Sequence, residues 1–304
     1  MNGIHVGISG WRYVPWRGDF YPRGLVQRRE LAFASRAVSS IEINGSFYSL
    51  QTPDRYASWR DETPDNFVFS VKAPRYITHI KRLRKIGDAM ANFYASGPLQ
   101  LEHKLGAFLW QFPPSFSFDA GLFADFLALL PSTVGEAMQC AQHSQRFDGP
   151  AAPRMARKTA LRHAVEIRHT SFLQEDFIDL LRQYRIALVV ADTAGKWPLV
   201  EELTADFMYL RLHGDKELYT SGYDEDALTR WEKRIRLWHR GRQPDDAKRI
   251  SDKADSSRAK RDLYCYFDND VKVRAPYDAR RLLEKLGLAG ELQVQPGKLS
   301  GEFL

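Results

Sequence analysis

Eight short segments rich in Val, Ile, Leu, Phe and Tyr recur along this chain, and most are followed by a stretch with helical spacing. No other feature of the sequence limits the fold as strongly. The strand-like segments are 5–10, 40–44, 67–72, 105–112, 163–168, 187–192, 207–213 and 263–268. Apolar residues at three- and four-residue steps mark helices over 28–38, 54–61, 83–94, 121–130, 175–184, 226–238 and 276–286. Asp119, Asp226 and Asp278 stand near helix starts, where a carboxylate can cap free amides. Strand and helix in regular alternation imply a parallel sheet. Eight such units in 304 residues imply one closed (β/α)8 barrel, a fold that takes about 250 residues plus insertions. The connection 193–206 is short and contains Trp197-Pro198, so the helix after the sixth strand is expected to be irregular or missing.

Two segments of this single domain, 1–304, read as loop insertions. Residues 131–159 have weak periodicity, and 242–262 are highly charged with few large apolar side chains, which predicts a mobile linker. No apolar run reaches the length of a membrane span, and the first residues lack a signal-peptide pattern. A cytoplasmic protein without membrane association is expected. Cys140 and Cys265 belong to no Cys-x-x-Cys pair and are read as free thiols. The net charge of +6 favours anionic partners, either a small molecule or nucleic acid.

The strands also share a polar pattern. In Ile41-Glu42-Ile43-Asn44, Glu42 and Asn44 alternate with two isoleucines; Glu166 and Arg168 alternate with Val165 and Ile167. Ser70 and Lys72, then Gln111, then Arg211 and His213 repeat the theme, while Asp192 and Asp268-Asn269 close their strands. These groups lie at the C-terminal ends of strands, which in parallel barrels form the mouth where sites are built. Phe47 and Tyr48 then fall on the rim. Two readings stay open: a ligand site, or a buried network in which Glu42, Glu166 and Asp192 neutralise Lys72, Arg168 and Arg211. On the site reading, Glu42→Ala and Arg211→Ala weaken ligand binding more than folding.

Gly7-Ile8-Ser9-Gly10-Trp11, Trp16, Phe20-Tyr21-Pro22, Glu42-Ile43-Asn44 with Ser46-Phe47-Tyr48, Trp59, Thr63-Pro64, Val71-Lys72-Ala73-Pro74 with Thr78-His79, Leu109-Trp110-Gln111-Phe112-Pro113-Pro114, Glu166-Ile167-Arg168-His169, Ala191-Asp192, Tyr209-Arg211-His213-Gly214 and Tyr266-Phe267-Asn269 run through the chain in order. Together they resemble the YecE-like family, a domain of unknown function. The resemblance implies a TIM barrel similar to the xylose isomerase and endonuclease IV type, and it implies no settled reaction. The insertions at 131–159 and around 248–261 depart from the pattern.

Among chemistries, a metal-dependent hydrolase would draw ligands from Glu42, Glu166, Asp192 and His213. The cations Lys72, Arg168 and Arg211 oppose a divalent ion, so no resident cofactor is expected, with a divalent metal as the lesser alternative. Metal-free binding of a phosphate-containing ligand (a nucleotide, nucleic acid or sugar phosphate) uses those same cations. Glu42, Glu166, Asp192 or His213 then supplies hydrolase-like acid–base catalysis, given a suitable pKa. Asn44, Gln111 and Asn269 offer amides, and Trp11, Tyr48 and Tyr223 offer rings for stacking. The alternatives are a non-catalytic nucleic-acid-binding module and a glycosidase- or isomerase-like sugar enzyme. For the glycosidase, Glu42 and Glu166 sit on non-adjacent strands and have cationic neighbours.

Overall fold

The structure, a computed structural model, describes residues 3–148, 152–253, 259–299 and 303. Its strands are β1 (Ile4–Ser9), β2 (Ser40–Ile43), β3 (Val68–Lys72), β4 (Leu105–Gln111), β5 (Arg162–Glu166), β6 (Ala187–Asp192), β7 (Phe207–Leu212) and β8 (Asp262–Phe267). Each pairs in parallel with the next, and β8 pairs with β1, closing an eight-stranded barrel. The helices are α1 (Glu30–Ala37), α2 (Gly45–Tyr48), α3 (Pro53–Asp61), α4 (Gly87–Ala95), α5 (Ala120–Ala128), α6 (Val134–Ala141), α7 (Glu175–Tyr184), α8 (Glu225–His239) and α9 (Arg274–Leu286). The single turn α2 carries Phe47 and Tyr48 on the rim. Asp119 caps α5 through Leu122 N, but α8 is capped by Asp224, not Asp226. Asp278 is no cap; it is buried inside α9 and accepts from Tyr223 N.

Alternation decides what lies inside. On β1, β2 and β4 the residues Val6, Ile8, Ile41, Ile43, Phe108 and Trp110 join the core between sheet and helices. Their neighbours point into the barrel, as the two-residue period requires. The interior is lined by small residues on one side, Ala164, Ala187 and Ala191, facing the large rings of Tyr209, Tyr264 and Tyr266 on the other. Tyr266 bridges the middle, its hydroxyl 2.7 Å from Ser40 Oγ and 2.8 Å from Ser70 Oγ. Gly7 makes room at this level: a Cβ there would sit 1.6 Å from the Ser40 carbonyl oxygen. At the N-terminal end Arg162 pairs with Asp262 at 2.7 Å.

No helix occupies 193–206, in line with the sequence. The charged segment packs there instead. Glu201 and Glu202, each about 1% exposed, accept from the backbone amides of Lys248, Ile250 and Ser251, and Glu202 also pairs with Arg182 at 3.1 Å. Residues 242–253 are therefore a strap anchored on buried carboxylates, which corrects the expected mobile linker; the rest of that expectation falls partly on 254–258, outside the described residues. Low apolar content was a poor guide because backbone amides, not side chains, make the attachment. We expect Glu202→Ala to destabilise the fold by about 3 kcal/mol. Limited proteolysis should show earlier cleavage within 242–253. Residues 131–159 likewise carry α6, packed on α4.

Candidate functional site

The C-terminal end of the barrel is organised around Arg211, which is fully buried. Its Nε and Nη2 meet the two oxygens of Glu42 side-on, at 3.1 and 3.0 Å. Nη1 donates to Glu166 Oε2 at 2.7 Å, and Nη2 reaches Asp268 Oδ2 at 2.9 Å and Ser9 Oγ at 3.2 Å. Nη1 also lies 3.4 Å from His213 Nε2. Arginine only donates, so that nitrogen is placed to accept. Nδ1 is 3.0 Å from Asp268 Oδ2, off the line of a hydrogen bond. Glu42 is completed by Ser9 Oγ and by Tyr209 OH, the latter at 2.6 Å. Asn44 Nδ2 donates to Ser9 Oγ at 2.9 Å, while its buried Oδ1 has no partner among the described residues.

Burial alone would raise the pKa of Glu166, but Arg168 and Arg211 outweigh it and hold the carboxyl well below the usual range. For Asp268, Arg211 and then His213 likewise overcome burial. Both carboxylates are thus fixed as anions, the wrong direction for a general base. Arg211 has every donor engaged and presents none to a ligand. The sequence reading of Glu42 and Glu166 as general bases and of Arg211 as a ligand-binding group is corrected accordingly. His213, fully buried between Arg211 and Asp268, orients that network rather than facing the opening.

Lys72 differs. It is 8% exposed, and its Nζ lies 4.3 Å from the centre of the Phe47 ring. Among the described residues it has no hydrogen bond and no ion pair. Burial, then the Arg211 charge, lowers its pKa to about 8. Arg168 donates from Nε to Glu166 Oε1 at 2.8 Å and stacks 3.8 Å from the Trp197 ring, leaving both terminal nitrogens without a protein partner among the described residues. The helix-free connection after β6 is what brings Trp197 under Arg168. His79 stands nearby: burial and then Lys72, Arg168 and Arg75 lower its pKa to about 4, keeping it neutral. Across the mouth, Asp270 is pushed up to about 6 by burial and by Asp268. Tyr219, half-buried, meets the His213 ring edge-on at 5.4 Å.

Two further expectations fall to strand parity and a third to burial. Asp192 and Asn269 share phase with Val190 and Phe267, so both face the helices. Asp192 Oδ2 accepts from Tyr223 OH at 3.1 Å, and Asn269 Nδ2 donates to Ser221 O and Asp278 at 2.9 Å. Tyr223 is 1% exposed and hydrogen-bonded at its hydroxyl, so its ring is unavailable for stacking. Trp11 is 6% exposed and packed edge-on against Trp59, whereas Tyr48 is 72% exposed. Gln111 is inward and buried beside Glu166 in register. Ser9, Tyr209, Asp268, Asp270, Tyr219 and Trp197 were not singled out as site residues. Asp268 was accessible through its phase with Tyr264 and Tyr266; Tyr219 and Trp197, on connections, had no periodic signal.

Glu42, Glu166, Asp192 and His213 do not suit a metal. Asp192 points away, and the oxygens of the two glutamates are occupied by arginine, tyrosine and serine donors. No group of three or more metal-ligating side chains stands together among the described residues. Arg211 itself holds the central cation position.

Comparisons with known proteins agree on family and fold. Residues 5–300 match a family model described as a protein of unknown function, DUF72. The chain is 30% identical over 121 residues to UPF0759 protein YunF of Bacillus subtilis (37% of this chain, 41% of that protein), and 28% identical over 113 residues to UPF0759 protein YecE of Escherichia coli K12 (37% and 39%). These matches span about two fifths of the relatives' length. A DUF72 family structure from Thermotoga maritima superposes with a TM-score of 0.70 at 24% identity, covering 94% of this chain and 99% of that one. One from Enterococcus faecalis gives 0.66 at 17%, covering 94% and 96%.

Proposed function

This chain belongs to the DUF72 family, and from that premise we propose that the mouth of its barrel binds an anionic, phosphate-containing ligand and carries out hydrolase-like acid–base chemistry on it. One observation carries the reading. Lys72 and the terminal nitrogens of Arg168 are cationic donors without protein partners among the described residues, while the carboxylates around them are already paired with Arg211. Glu42, Asp268 and Glu166 attract the Lys72 ammonium but none is hydrogen-bonded to it; burying an ammonium without such a contact is costly, and a phosphate oxygen would supply a direct acceptor. The ligand then sits between Lys72, Arg168 and the neutral His79. Asp270, with a pKa near 6, is the carboxyl suited to proton transfer at neutral pH, in place of the glutamates.

Two titrations bound the activity. The ammonium of Lys72 must be present, which fails as pH rises through about 8; ionised Asp270 as base must be present, which fails as pH falls through about 6. We therefore expect a bell-shaped kcat/KM profile on phosphoester substrates, with Asp270→Asn removing the acidic limb. A non-catalytic binding module is the second reading, favoured by the pairing of Glu42 and Glu166. Calorimetry with inorganic phosphate and nucleoside monophosphates, followed by turnover assays on their esters, separates the two. Binding without turnover selects the module; no binding to wild-type protein overturns both.

A further inference from the structure

Beside the mouth a cleft of about 490 Å³ opens between the turns that follow β2 and β3. Arg75, Lys81, Lys85 and Arg146 line it, facing the carboxylate of Asp88 among the described residues. No carboxylate pairs with any of the four cations among the described residues. Two aromatic rings stand in it in the open: Tyr48 is 72% exposed and Tyr76 50%. Tyr76 begins a wide π-helical turn, Tyr76–Ile80, that buries Ile77 and Thr78. Arg82, Leu83 and Lys85, which follow, all have positive φ. Non-glycine residues in that region cost about 1 kcal/mol or more each and persist where surrounding structure holds them. Phe47 is shared: it lines the cleft, and its ring also covers Lys72 Nζ.

We propose that this cleft is the binding track for a single-stranded nucleic acid whose terminal or scissile phosphate enters the mouth at Lys72. The four cations match a run of backbone phosphates, and the exposed rings match unstacked bases, the combination by which single strands are held without sequence readout. A duplex keeps its base faces covered and could use only the charges. A cleft of this size admits a nucleotide or two at a time, which suits a strand threaded along it. The inference rests on the mouth reading for the destination of the phosphate, while the cleft itself stands on its own residues.

Fluorescence anisotropy with labelled oligo-dT and oligo-U of about 12 nucleotides tests it, one arm for each sugar. Wild-type protein is expected to bind at least one of them, with affinity falling steeply as salt rises. The double variant Lys85→Glu, Arg146→Glu should bind at least tenfold more weakly with a shallower salt dependence, and Tyr76→Ala at least fivefold more weakly at unchanged Tm. Lys72→Met should lose inorganic phosphate binding yet retain most oligonucleotide affinity, so the cleft and the mouth fail separately. The proposal is overturned if neither oligonucleotide binds, if the cleft variants bind as tightly as wild type, or if duplex DNA or anionic phosphatidylserine vesicles compete as well as the single strand.

Discussion

Arg211→Ala is expected to destabilise the barrel by about 3–5 kcal/mol, lowering Tm by about 10 °C or preventing folding at expression temperature. The reason is the charge left behind. Without the guanidinium, Glu42 and Glu166, neither of them exposed, and Asp268 face one another with their principal counter-ion removed. Arg211→Lys keeps a charge but cannot pair side-on with Glu42 while reaching Glu166 and Asp268, so an intermediate loss is expected. Thermal denaturation of soluble protein, or the soluble fraction on expression, measures it. The order expected from sequence, binding harmed more than folding, is thus reversed for Arg211 and for its partner Glu42. An Arg211→Ala protein with wild-type Tm would show that the ion-pair hub contributes no stability.

Lys72→Met is the opposite case. Removing a nearly buried ammonium that has no ion pair among the described residues should leave Tm unchanged or higher, because the charge is held in the fold at a cost. Phosphate affinity should fall by about tenfold to a hundredfold, the range for losing a charge-assisted contact. The pH dependence follows from the same group. Its folded pKa, about 8, is below the ordinary value of 10.5. Between these values the unfolded chain binds the proton and the folded one does not, so wild-type stability should rise with pH across that window. The methionine variant should lack this rise. Sulfate binding, whose ligand does not titrate there, should weaken as pH passes about 8 in the wild type and be weak throughout in Lys72→Met.

Much of this arrangement was legible in the chain because barrel strands obey a period of two. The apolar alternation placed the eight strands within one or two residues of their observed ends, and it put Glu42, Lys72, Glu166, Arg168 and Arg211 at one end of the sheet. The same rule, applied strictly, excludes Asp192 and Asn269 and selects Asp268. Being polar at a strand end was a weaker signal than being in phase. What periodicity could not report was partnership. Whether Arg211 or Lys72 remains free depends on which of several inward carboxylates each side chain reaches, a matter of register across β2, β5, β7 and β8. Connections were also opaque. Trp197 arrives at the mouth because 193–206 forms no helix, and the strap at 242–253 is held by backbone amides that composition does not reveal.

The central proposal is that Lys72 and Arg168 bind an anion above a closed ion-pair hub. Crystals of the wild-type protein soaked in tungstate, a phosphate mimic with a strong anomalous signal, test it most directly. We expect one dominant anomalous peak within hydrogen-bonding distance of Lys72 Nζ and an Arg168 terminal nitrogen, absent from Lys72→Met crystals. Anomalous peaks confined to other surfaces, with the mouth empty at saturating tungstate, would contradict the account.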